Sequence, residues 1–290
     1  MTIWLDLLGA ETKYYEGKYR TRVLEAGTGD LLILLHGGTG HAETYARNIL
    51  RLSEHFRVIA PDLLWHGFSS CPEFDPQDYP LRFVDQMIDL MDVLGVEKAS
   101  IEGESLGGWV ALATALRHPD RVHKIILNTT AGVAYRTDLD MSPEDMKLFV
   151  QRSTASVAEA TLESVRARLE WLMAAEHVTD ELVRTRYDIL QRPQTRESLQ
   201  KVVRHGLGLG EGANHRFLES AVADVTVPTL VFWTENNPGH GPEVGEHLAS
   251  LIPGAQFYCM KGAGHWPMWE KPEEHDTAIR EFLLHDEAAR

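Results

Sequence analysis

The strongest chemical signal in the chain is one serine between closely spaced glycines. Gly103-Glu104-Ser105-Leu106-Gly107-Gly108 joins a β-rich run to a helical one, and its Gly-x-Ser-x-Gly spacing is that of a nucleophile elbow. Small residues two before and two after the serine let a sharp strand-to-helix turn pack tightly and lift Oγ above the sheet. The backbone N–H of Leu106, at the helix N-terminus, can then meet an oxyanion. A serine hydroxyl is a weak nucleophile and needs a base. Of the 14 histidines, position favours His265, because Gly264-His265-Trp266 follows Lys261-Gly262-Ala263 in a Gly-rich loop leaving the last expected strand. A second oxyanion donor is expected in His36-Gly37-Gly38-Thr39-Gly40, where glycines let backbone N–H groups come close. Phosphate cradling is the rival chemistry for that loop, but no Lys-Ser/Thr follows it.

The elements that must position these residues alternate. TRVLEAG, LLILLHGG, FRVIAPD, KASIEGES and HKIILNTT read as strands separated by turns or helix-length stretches, which implies parallel βαβ units. LLILL at 31–35 lacks polar alternation, so it is expected to be a central strand covered on both faces. Apolar spacing predicts helices at 80–95 and from Ser105 to about Arg117, the latter stopped by His118-Pro119. From about 133 to 222 the chain reads as helical and charged, with no convincing strand. Strand (227–233), helix (242–251), strand (GAQFYCM) and a last amphipathic helix (272–284) then resume the core. The expected form is a core with a helical insertion over its C-terminal edge, where open α/β sheets bind ligands.

Composition narrows the classes. Lys and Arg number 28 against 43 Asp and Glu, a net charge of −15, which argues against nucleic acid or an anionic membrane as partner. The two cysteines, Cys71 and Cys259, offer neither a disulfide framework nor a Cys-rich metal site and are expected to be reduced, buried thiols. No export signal and no apolar stretch near the roughly 20 residues needed to span a bilayer is evident. A cytoplasmic protein acting on a small molecule is expected, as a homo-oligomer, a dimer in the simplest case.

HGG, GESLGG, the late GHW and the mid-chain helical stretch resemble the α/β-hydrolase superfamily over essentially the whole chain. The resemblance implies an α/β-hydrolase fold: a mostly parallel twisted sheet, helices on both faces and an inserted helical lid. It divides the chain into a core of residues 1–132 and 223–290 and a lid of 133–222. Within the superfamily, GHWPMWEKPEE and ELVRTRYDILQRP resemble the meta-cleavage product hydrolases, serine-dependent C–C hydrolases of aromatic catabolism. That likeness makes Arg186 the lid arginine that holds the substrate carboxylate and Trp266 the tryptophan beside the catalytic histidine. The sequence also departs from the family: Glu104 replaces the usual Asn before the serine, and Thr39 to Tyr45 is a shorter loop than the Gly- and Asn-bearing stretch that contacts the dienol. The usual acid after the seventh strand is missing, and Asn237 stands at the matching position of Trp233-Thr234-Glu235-Asn236-Asn237-Pro238.

The activity this implies is hydrolysis of a C–C bond in a 2-hydroxy-6-oxo-hexa-2,4-dienoate, with Ser105 as nucleophile, His265 as base, Gly38 and Leu106 N–H groups as oxyanion hole, and neither metal nor organic cofactor. Asn237 can accept the Nδ1–H of His265 through its amide oxygen. Glu235, two residues earlier, could supply a carboxylate instead if the strand end stays extended. Two other readings compete: a carboxylesterase on small aromatic esters such as phthalate monoesters, and a hydrolase-fold protein that binds a ligand without turnover.

Overall fold

The computed structural model describes residues 2–136, 138–207, 209 and 215–285. In chain order the strands are β1 (Glu11–Glu16), β2 (Arg20–Ala26), β3 (Leu31–Leu35), β4 (Arg57–Pro61), β5 (Ala99–Glu104) and β6 (Val122–Asn128). A short pair follows, β7 (Val133–Ala134) and β8 (Phe217–Leu218), then β9 (Thr229–Thr234) and β10 (Gln256–Met260). Eight of them form one sheet in the order β1-β2-β4-β3-β5-β6-β9-β10. Only β1·β2 and β2·β4 pair antiparallel; the rest are parallel.

Strand β3 shows why the sheet is buried on both sides. Successive side chains point to opposite faces. Leu31, Ile33 and Leu35 pack with the helices Tyr79–Val93 and Leu106–Arg117 on one face, while Leu32 and Leu34 pack with the helices Ala46–Leu52 and Pro272–Leu284 on the other. From β3 the chain moves to β4 on one side and then to β5 on the other. The strand order therefore reverses at β3, and the carboxyl ends of β3 and β5 mark the switch point at which such sheets bind ligands. The His36-Gly37-Gly38 loop leaves the first end and Ser105 leaves the second.

Between β6 and β9 lie four longer helices, Pro143–Ala158, Leu162–Leu172, Asp180–Leu190 and Pro193–Gly206. Their starts are written in the sequence: Ser142 and Thr179 cap with their side chains, Thr161 and Ser164 form a capping box, and Pro193 opens the fourth helix. The expectation of no strand in this stretch needs correction. β7 and β8 pair in parallel at the two ends of the insertion, and Trp109 stacks on Phe217 at 5.3 Å between ring centroids. A two-residue strand carries no readable alternation, so the sequence hides it. Strand β1 is likewise not legible in the sequence, because this edge strand, ETKYYE, buries no residue fully. Both cysteines are free, but they are half-buried rather than buried.

Candidate active site

Ser105 sits where β5 turns into the helix Leu106–Arg117, with φ 53° and ψ −112°, a conformation a non-glycine residue adopts only under constraint. The constraint is close packing of backbone. A Cβ on Gly103 would lie 2.1 Å from the Gly107 carbonyl, and one on Gly107 would lie 2.2 Å from the Leu35 carbonyl oxygen. The small residues flanking the serine are thus required by contact, and the turn leaves Ser105 and Leu106 half-buried among buried neighbours.

The loop after β3 is held by two buried neutral histidines. His36 Nε2 accepts the Leu63 N–H at 3.1 Å, so its Nδ1 carries the proton and donates to the Gly37 carbonyl at 2.8 Å. His66 likewise accepts the Thr39 N–H at 3.3 Å and donates to the Leu64 carbonyl at 2.8 Å. Burial pushes His36 well below the ordinary histidine range and brings His66 down to about 4, which keeps both uncharged. Gly38, between these anchors, is exposed, and a Cβ there would meet nothing within 4 Å.

His265 is placed by its main chain. Its N–H donates to the Leu172 carbonyl at 2.7 Å and its carbonyl accepts the Thr129 hydroxyl at 3.0 Å. Gly264 next to it donates to Glu270 Oε1 at 2.9 Å. Burial raises the Glu270 carboxyl to about 7.

The structure brings Asn237 and His265 together, with Asn237 Oδ1 at 2.6 Å from Nδ1. Asn237 Nδ2 donates to the His240 carbonyl at 3.0 Å. That bond fixes the amide orientation, leaves oxygen facing the ring, and so places the ring proton on Nδ1. Glu235 is turned away: the chain bends after β9 instead of staying extended, and Glu235 Oε2 accepts the Gly262 N–H at 2.9 Å.

The other side of the ring holds a surprise. His265 Nε2 lies 3.0 Å from Glu104 Oε1, and among the described residues no hydrogen bond joins Ser105 to His265. Glu104 is buried, its Oε2 has no partner, and a Cβ on Gly37 would lie 2.3 Å from that oxygen. The glycine after His36 is therefore the space this carboxylate fills.

Arg186 reaches in from the insertion helix Asp180–Leu190. It is buried, Nη2 donates to both the carbonyl and the hydroxyl of Thr39 at 2.8 Å, and its guanidinium stands 5.1 Å from the Trp266 ring centroid. Nη1 is buried without a partner. Arg168, on the helix Leu162–Leu172, is a second buried arginine, with Nε and Nη1 unpartnered. Sequence reading passed over it, although a signal existed: Val165, Arg168, Leu169 and Leu172 form one helical face, and a charge in an otherwise apolar stripe is unusual.

Residues 30–272 match the family model described as the alpha/beta hydrolase fold. The chain belongs to that family. The hydrolase is 30% identical over 277 residues to a 2-hydroxymuconate semialdehyde hydrolase of Pseudomonas putida, covering 93% of this chain and 92% of the relative. It is also 30% identical over 270 residues to a 2-hydroxy-6-oxononadienedioate/2-hydroxy-6-oxononatrienedioate hydrolase of Comamonas testosteroni, covering 91% of each. Among solved structures it resembles a meta-cleavage product hydrolase (CumD) at 28% identity and a TM-score of 0.78, over 93% of this chain and 97% of that one. A carboxylesterase of Bacillus subtilis shares the fold at 22% identity, with a TM-score of 0.74 over 97% of each chain. No described helix is long and apolar enough to cross a membrane. Among the described residues no group of three or more His, Cys, Asp or Glu could hold a metal ion.

Proposed function

We propose that this hydrolase cleaves the C5–C6 bond of a 2-hydroxy-6-oxo-hexa-2,4-dienoate, with the helices between β6 and β9 acting as a lid over the site. The observation that carries the reading is Arg186, a buried cation with a free Nη1, packed on Trp266 and tied to the loop after β3. A planar guanidinium suits a carboxylate. With that carboxylate held, the dienol loses its 2-hydroxyl proton and gains one at C5, which makes the C5–C6 bond cleavable. His265 then exchanges Glu104 for Ser105, takes the Oγ proton, and Ser105 attacks the C6 carbonyl. The N–H groups of Gly38 and Leu106 stabilise the oxyanion. The C5–C6 electron pair leaves as a dienolate that regains a proton, and water, activated by His265, releases the acyl group. Asn237 holds the ring tautomer throughout. The relatives' names, which include a muconate semialdehyde and a dienedioate, support this class.

Glu104 favours a second reading. A buried carboxylate beside His265 Nε2 replaces a neutral family residue, and an anionic dienolate would form less readily near it, whereas an ester needs no such intermediate. The discriminating assay follows the visible absorbance of yellow ring-fission dienols against the release of acid from phthalate monoesters and acetyl esters. Loss of dienol colour supports C–C hydrolysis; ester turnover alone would overturn it in favour of the esterase. Ser105→Ala is expected to bind ligand and lose about 10³-fold or more in turnover, and an active variant would end the serine mechanism.

A further inference from the structure

We propose that Arg168 is a second anion-binding residue of this site and that the substrate is a dicarboxylate, its distal carboxylate held by Arg168 while Arg186 holds the one beside the dienol. The inference rests on the C–C hydrolase reading and names its substrate class. Arg168 and Leu172 are four residues apart on one helical face, and the Leu172 carbonyl receives the His265 N–H at 2.7 Å. The arginine is therefore one turn from the loop that carries the base. Arg186 meets the opposite loop through Thr39.

The Arg168 guanidinium lies 5.0 Å from the Phe149 ring centroid and 4.9 Å from that of Trp171. The two ring centroids are only 5.5 Å apart, so the rings cluster on one side of the guanidinium instead of enclosing it. Two of its donor nitrogens, Nε and Nη1, are buried with no acceptor. Burial lowers Arg168 to about 9 and Arg186 to about 10; the Glu104 charge acts against the shift in both, and the Arg186 charge adds to it for Arg168. Both buried cations feel the charge of Glu104, and among the described residues neither is in ion-pair contact with a carboxylate. An unpaired buried charge is costly unless a ligand completes it, and a second carboxylate does so. Cleavage at C5–C6 would then release a dicarboxylic acid, because C6 becomes a new carboxyl group while the distal one is unchanged.

The test measures calorimetric binding of nonanedioate and of nonanoate, whose chain length matches the spacing of the two substrate carboxylates, to the wild-type protein and to Arg168→Met, Arg168→Lys and Arg186→Met, with thermal melts as the check on folding. Nonanedioate is expected to bind the wild type about tenfold or more tighter than nonanoate, as one added charge-assisted contact implies. Arg168→Met should remove that preference, Arg168→Lys should retain part of it, and Arg186→Met should weaken both ligands. Equal affinity of the two acids for the wild type would overturn the proposal, as would a preference that survives Arg168→Met. If Arg168→Met does not fold, the wild-type comparison and the lysine variant decide. Failure of the C–C reading is seen separately, as dienol colour that persists with wild-type protein whatever the acids do.

Discussion

Replacing Asn237 by aspartate tests how His265, the base of the proposed mechanism, is supported. The amide oxygen of Asn237 already stands 2.6 Å from His265 Nδ1, so Asn237→Asp changes charge and leaves shape alone. A neutral hydrogen bond contributes about 0.5–1.5 kcal/mol and one to a charged group about 1.5–3. The difference, about 1–1.5 kcal/mol, favours the imidazolium that forms during attack and corresponds to roughly tenfold in kcat/KM. The same change carries a cost in folding, because Asn237 Nδ2 donates to the His240 carbonyl at 3.0 Å. An aspartate oxygen there would face that carbonyl, and losing the donor costs about 1–3 kcal/mol. The expected phenotype is therefore a faster and less stable enzyme. Steady-state kinetics on the substrate that responds in the assay above, with a thermal melt, give both halves. Asn237→Ala should instead slow turnover, by up to about 10⁴-fold if the ring adopts the wrong tautomer. A folded aspartate variant with unchanged or lower kcat/KM would refute the reasoning, and would mean that Glu104, 3.0 Å from Nε2, already supplies the charge that matters.

Two further outcomes follow from the geometry around the elbow and the histidine loop. Gly103→Ala puts a methyl where the Gly107 carbonyl stands 2.1 Å away, so overpacking should lower stability by about 1–3 kcal/mol, and chemical denaturation that finds no loss would contradict the contact argument. Glu270 has its carboxyl raised by burial from 4.5 to about 7, so the folded protein holds the proton more tightly and stability falls as pH rises from about 4.5 through about 7. Glu270→Gln lacks that titration. The variant's Tm relative to wild type should therefore rise between pH 5 and pH 8, and a pH-independent gap would rule out this assignment.

Much of the fold and part of the site were legible in the sequence because their causes are local. The Ser105 elbow is a spacing rule enforced by backbone contact, and the flanking glycines state it directly. The five-residue apolar run Leu31–Leu35 announces a strand covered on both faces. The likeness of GHWPMWEKPEE and ELVRTRYDILQRP to known hydrolases singles out Trp266 and Arg186 from the sequence. What sequence could not decide were contacts between segments far apart in the chain. Whether Asn237 or Glu235 meets His265 depends on a bend after β9 that turns Glu235 toward Gly262. The meeting of Glu104 with His265 Nε2 joins residues 161 positions apart, and it is set only once both loops are folded. Arg168 is the clearest case: its helix face showed an anomalous charge, but only the packing of that helix against the His265 loop gives the charge a place beside the site. Local periodicity and steric rules are fixed by neighbours in the chain, whereas the partners of a buried charge are fixed by tertiary packing.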